Sequence, residues 1–249
     1  KAILGALGAH PSPDLLDYDA CFKGGIRVLS CAPAFGPMVA EMALGMAIAC
    51  GRDILGGDRA MRERKERYSA RGNEGNFTLY HKPVGFIGFG GLARSLKRLL
   101  NPFDCEFRAY DPWLPERFLI KEGVEPMELD KLLETSRFIF VLAAPSKENA
   151  GLLDRRRLSL IGQDAALILI SRAHLVDFDA LTEMVDQGRF RAGIDVFPKE
   201  PLQSDHPVRH SANTTLSAHR AGSVHEDFKM IGRMAVNDIE VMISGLPPM

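Results

Sequence analysis

The chain has 249 residues, 46% hydrophobic and 25% charged, enough to bury a substantial core as one large domain or two smaller ones. Thirty-one basic against 32 acidic residues leave a net charge of −1, so bulk electrostatics offer no case for nucleic acid or an anionic membrane as partner. Cys21, Cys31, Cys50 and Cys105 show no CxxC spacing and read as free thiols of a reducing, cytoplasmic setting without a metal cluster; no apolar run reaches membrane-spanning length and no signal peptide is visible.

Residues 1–36 hold two short strand patterns, Ala2–Leu7 and Ile26–Ser30, among polar turns. An independent domain needs on the order of 100 residues. The sequence, which opens at Lys1 without a methionine, therefore reads as truncated at its N-terminus, with 1–36 the remnant of a domain. A helix pattern follows from Met38 to about Leu55, with Val39, Met42, Ala43, Met46 and Ala49 near one face. Its methionines fit core packing. Arg59–Arg71 is locally basic, but Glu63 and Glu66 interleave, as on a solvated loop or helix face.

From Val84 to about Ser217, apolar runs alternate with helical patterns. The predicted strands are Val84–Gly88, Glu106–Tyr110, Phe138–Leu142, Ala166–Ile170, Ala192–Val196 and Thr214–Ser217. Several are nearly continuous in apolar residues, as in parallel strands covered on both faces. The helices between them are Leu92–Leu100, Leu129–Thr135 and Asp177–Gln187, the last with Asp177 as N-cap and Gly188 as stop. This alternation predicts an α/β fold with a doubly wound parallel sheet and right-handed crossovers. A last helix pattern, Val224 to about Ile243, places Phe228, Ile231, Met234, Ala235, Ile239 and Met242 together. Helices flanking both edges suggest crossings to a second domain across a cleft. The expected division is 1–36, a nucleotide domain over 37–222, and a returning helix over 223–249.

The strongest motif is Val84-Gly85-Phe86-Ile87-Gly88-Phe89-Gly90-Gly91-Leu92-Ala93, a strand, a glycine turn and a helix start. Gly88 allows a tight turn, Gly90 lets backbone approach a pyrophosphate, and Ala93 is small enough for close helix–strand packing. The helix N-terminus at Gly91 and Leu92 offers N–H groups and a positive dipole end to phosphates. Asp111 closes the next apolar run about 20 residues on, where such folds hold the adenosine ribose hydroxyls. With Pro112 and Trp113 after it and no adjacent arginine, it favours NAD over NADP.

Three later segments put charged residues at predicted strand ends, where open α/β sheets bind ligands. Arg172 follows an apolar strand, and its fork suits a carboxylate or keto oxygen. Asp195 sits in a strand too apolar for an unpaired charge and calls for a hydrogen-bonding partner. Glu200 lies in a stiff, proline-flanked loop, and His219 follows the last strand ahead of small residues. A histidine beside a carboxylate is favoured in its charged form. Keto reduction needs such a proton donor and a cation to orient the substrate. The other histidines, His174 among them, read as structural.

With Val39-Ala40-Glu41, Tyr110-Asp111-Pro112, Ser171-Arg172-Ala173, Gly193-Ile194-Asp195-Val196-Phe197, Glu200-Pro201 and Ser217-Ala218-His219 in order, the chain resembles the D-isomer-specific 2-hydroxyacid dehydrogenases, from about residue 24 to 225. The resemblance implies a Rossmann NAD domain with a second, flavodoxin-like substrate domain, largely missing here. It implies His219 as acid/base, Glu200 as its orienting carboxylate, and Arg172 as substrate anchor. Asp195 would accept from the nicotinamide carboxamide, and Pro145 would lie beside the adenosine half. It implies a homodimer with interface candidates at Met38–Leu55 and Arg59–Tyr68, a small 2-oxo or 2-hydroxy acid as substrate, and no nucleic-acid or membrane partner. Ala173 and Ala93 replace usual glycines, Ala218 a usual proline, and only Gly5 and Gly8 remain of a substrate-holding glycine loop. The alternative on the same fold is an NAD(H)-sensing, corepressor-like binding protein.

Overall fold

A computed structural model describes residues 1–5, 15–222, 224–225 and 228–246. They divide into two compact units, Lys1–Val39 with Gly222–Met249, and Ala40–Ala221.

In the first unit, β1 (Ala2–Gly5) and β2 (Arg27–Ser30) pair in parallel, joined through α1 (Tyr18–Lys23). Asp17 caps α1 by accepting the Ala20 N–H at 2.9 Å. Strand β1 stops at Gly5; the expected continuation through Leu7, and Gly8, lie outside the described residues. The last helix, α9 (Phe228–Ile243), packs Ile231, Met234 and Ala235 with Cys31, Ala34, Leu4 and Phe35. Its buried line ends on Asp238, whereas Phe228 and Ile239, expected on the apolar face, are exposed. The line Ile231–Met234–Ala235–Asp238 follows helical spacing, and one acid inside it misled the apolar count.

Helix α2 (Ala32–Arg52) spans the boundary between the units. It begins before Pro37, not after it at Met38, because Ser30 Oγ accepts the Ala32 N–H at 3.1 Å and starts the helix there. The added turn gives 21 residues with a mean hydropathy of 1.5 over an 18-residue window, long and apolar enough to cross a membrane. That corrects the expectation that no apolar run reaches this length. Ala40, Ala43, Met46, Ala47 and Cys50 of this helix are buried within the protein. A left-handed Asp53 (φ 48°) ends α2 ahead of Leu55, and α3 (Ile54–Arg62) follows as a separate, exposed helix.

The second unit alternates β3 (Pro83–Ile87), α4 (Gly91–Leu100), β4 (Glu106–Tyr110), α5 (Glu116–Lys121), β5 (Glu125–Pro126), α6 (Leu129–Thr135), β6 (Phe138–Val141), α7 (Arg155–Leu158), β7 (Ala166–Leu169), α8 (Phe178–Asp186), β8 (Arg191–Ile194) and β9 (Thr214–Leu216). Its strands form one parallel sheet in the order β5-β4-β3-β6-β7-β8-β9. The doubly wound architecture is as the alternation predicts. The period of two sends Ile87, Ile139, Val141, Leu167, Leu169 and Ile194 into a core with α6 and α8. Phe86 faces the other way, against Phe89, Phe107 and Phe140. Asp177 caps α8 by accepting the Ala180 N–H at 3.0 Å, and Gly188 (φ 70°) follows it. Strand order reverses between β3 and β6, the position at whose carboxyl ends open α/β sheets bind ligands.

Arg191, at the start of β8, fixes the end of α2. Its Nη1 donates to the Cys50 and Gly51 carbonyls at 2.7 and 3.2 Å, and its Nη2 to the Gly75 carbonyl at 3.1 Å. Arg191 and Arg137 both lie over the Phe77 ring. Arg191→Met keeps the aliphatic stem but orphans these carbonyls. We expect a loss of about 1.5–3 kcal/mol, read as a fall in Tm of several degrees in thermal unfolding. An unchanged Tm would show that water replaces the guanidinium at no cost.

Candidate active site

The glycine turn joins β3 to α4. Gly88 has φ 86°, and a Cβ there would stand 2.6 Å from the Ala143 Cα beyond β6, so this position requires glycine on both counts. Its N–H donates to the Tyr110 carbonyl at 2.9 Å. At Gly90 and Gly91 an added Cβ would meet open space. Gly90 caps α4, Leu92 is half-buried and Ala93 fully buried. The first N–H groups of α4 lack intrahelical acceptors and face outward as a phosphate cradle.

Asp111 lies just past β4. Its carboxylate accepts the Phe89 N–H of the turn at 2.8 Å, and the Trp113 and Leu114 N–H groups at 2.9 and 3.2 Å. Three of about four acceptor positions are used, leaving one for a ribose hydroxyl. Pro145 is exposed in the segment after β6, on the same side of the sheet. These residues fit a dinucleotide: an obligatory left-handed glycine, open space at the helix start, and a carboxylate tied to the turn.

Asp195 is the first residue past β8 rather than inside it, and it is fully buried. Its backbone carbonyl accepts the His219 N–H at 2.7 Å, and its carboxylate oxygens accept the Arg220 and Ala221 N–H groups at 3.0 and 3.2 Å. The partner demanded by the sequence is thus the following loop. Each carboxylate oxygen accepts one backbone N–H, which leaves further acceptor positions on the group.

So held, His219 takes φ 52°, a left-handed conformation uncommon for residues with a Cβ. Its Nδ1 lies 2.7 Å from Glu200 Oε2, while Glu200 Oε1 accepts the Phe197 N–H at 3.0 Å. Burial pushes the Glu200 carboxyl up. The His219 hydrogen bond, the Phe197 N–H and the charges of His219 and Arg172 outweigh it and hold the group below the usual glutamate range. Arg172, just past β7, is half-buried and donates from Nη1 to the Ser171 carbonyl at 2.7 Å, leaving its other N–H donors unused. The structure therefore brings Glu200 and His219 into contact, with the charge of Arg172 acting on Glu200. Sequence reading missed Asn149, which organises the segment after Pro145; its only signal is an amide three residues after Ser146.

Residues 44–221 match the family described as D-isomer specific 2-hydroxyacid dehydrogenase, NAD binding domain. The chain is 29% identical over 234 residues to the D-3-phosphoglycerate dehydrogenase of Mycobacterium tuberculosis, covering 93% of this chain and 43% of that relative. It is 32% identical over 190 residues to the hydroxypyruvate reductase of Thermotoga maritima, covering 76% of this chain and 60% of that protein. A phosphoglycerate oxidoreductase from Rhizobium etli has a crystal structure matching at a TM-score of 0.89 and 38% identity, covering 100% of this chain and 79% of that one. The chain thus spans less than half the length of the mycobacterial relative.

Asp195→Asn replaces one acceptor oxygen with a donor facing a buried N–H. It should cost about 1–3 kcal/mol in thermal unfolding and speed hydrogen exchange at Arg220 and Ala221. Unaltered exchange at both amides would mean that Asp195 does not hold this loop.

Proposed function

The chain belongs to the D-isomer specific 2-hydroxyacid dehydrogenase family, and from that premise we propose that its protein interconverts a 2-oxo acid and a D-2-hydroxy acid with NAD(H). The observation that carries this reading is the 2.7 Å contact of His219 with Glu200 beside Arg172. A bound nicotinamide supplies or accepts the hydride. Every other task falls to side chains of this chain.

A carboxylate kept ionised accepts only, so Glu200 takes the proton-bearing Nδ1 of His219. That fixes the ring and leaves Nε2 to give or take the proton of the substrate 2-hydroxyl. Arg172 has donors free for the substrate carboxylate, and its cation steadies negative charge on the carbonyl oxygen. The glycine turn and α4 hold the pyrophosphate, Asp111 a ribose hydroxyl, and Pro145 borders the adenosine. The four cysteines, all free thiols, support a reducing, cytoplasmic setting.

In the full-length protein, His219→Ala should lower kcat for 2-oxo acid reduction by about 10²–10⁴-fold while NADH still binds. Arg172→Ala should cut kcat/KM by a comparable factor. Reduction at an unchanged rate by His219→Ala would remove the acid/base assignment.

We also propose a homodimer through α2 and α3. Ile54, Leu55 and Met61 of α3, and Tyr68 beyond it, are exposed apolar side chains on one continuous segment of chain. Light scattering at micromolar concentration should give twice the chain mass, and a monomer would contradict the proposal.

A further inference from the structure

The loops after β6 and β7 carry Pro145 and Arg172, and one amide side chain ties them together. Asn149 Oδ1 accepts the Ser146 N–H at 2.8 Å, and its Nδ2 donates to the Ala144 carbonyl at 2.8 Å. These two bonds close residues 144–149 around Pro145, which has no N–H of its own to anchor it. The same Oδ1 lies 3.4 Å from His174 Nε2. His174 stands two residues past Arg172, in the turn Ala173–Leu175. Its backbone carbonyl accepts the Gly151 N–H at 2.8 Å, and the Leu175 carbonyl accepts the Leu153 N–H at 2.8 Å.

We propose that Asn149 is a positioning residue: it sets the shape of the 144–149 loop toward the dinucleotide and, through His174, locks that loop to the segment carrying Arg172. The role needs a side chain that accepts and donates at once. Aspartate only accepts, and an apolar residue does neither. The loop also begins at the switch point, where Ala143 presses on Gly88, so its shape and that of the glycine turn are set together. A histidine that reads as structural in the sequence thereby gains a part in aligning the two halves of the site. The cofactor half of this inference requires only dinucleotide binding. The Arg172 half rests on the reaction proposed above.

The experiment uses full-length protein carrying Asn149→Ala, Asn149→Asp or His174→Ala, with NADH affinity from fluorescence titration, Tm, and kcat and KM for a 2-oxo acid. Asn149→Ala should raise the NADH Kd about tenfold, the effect of losing roughly one net hydrogen bond to the loop. Asn149→Asp keeps the acceptor but turns a carboxylate on the Ala144 carbonyl, so its Kd should rise at least as much. His174→Ala should leave the Kd within about twofold and raise KM for the 2-oxo acid more than it lowers kcat. A merely structural asparagine would lower Tm without moving the Kd of the folded protein.

An NADH Kd within twofold of wild type for both Asn149 variants overturns the proposal. If Asn149→Ala fails to fold, Asn149→Asp decides alone. An unchanged KM in His174→Ala overturns the link to Arg172. Absence of turnover in the wild-type protein with intact NADH binding would sink the proposed reaction, while the Kd series still decides the role of Asn149.

Discussion

The site depends on how one buried carboxylate is satisfied. Asp195 has no exposure to solvent, and a carboxyl group so placed is tolerable only when it is hydrogen-bonded. Its three oxygens take three successive N–H groups, those of His219, Arg220 and Ala221. Three bonds from one residue leave the following loop little freedom. They hold His219 in a left-handed backbone well that it would not otherwise favour. The position of the ring against Glu200 follows from that clamp.

The parallel sheet supplies the rest. Every strand points the same way, so the segments just past β3, β4, β6, β7, β8 and β9 all emerge on one edge. Gly88, Asp111, Pro145, Arg172, Asp195 and His219 occupy those segments in that order. Residues far apart in the chain become neighbours without any long loop having to reach. Strands β8 and β9 are paired from Ala192–Thr214 to Ile194–Leu216, which brings Asp195 and the His219 loop out side by side. The clamp is thus a consequence of strand register.

This also explains what the sequence disclosed. The buried strands β3, β6, β7 and β8 are nearly all apolar, and these together with β4 and β9 stand out to within a residue or two. Arg172, Glu200 and His219 stand out only as a set in family order, because each alone reads equally well as a structural residue. Elements too short for periodicity, β5 and α5, leave no pattern. The true start of α2 depends on a serine side chain two residues before it, and Pro37 disguises it. The partners of Asp195 and the bonds of Asn149 are contacts to backbone N–H and C=O groups. Every residue has those groups, so no residue type marks them. Sequence shows which side chains carry chemistry better than it shows what holds them still.

Asp195 and Glu200 make the same point within one site. Both are carboxylates on loops that follow β8, yet their surroundings give them different work. Asp195 is buried and bonded to backbone amides of the loop that carries His219. Glu200 is partly exposed and bonded to the His219 imidazole. Arg172 and the Phe197 N–H also favour its ionised form. One acid fixes where the backbone of the histidine stands and the other engages one nitrogen of its ring. Backbone position and ring orientation are thus set by two different carboxyl groups.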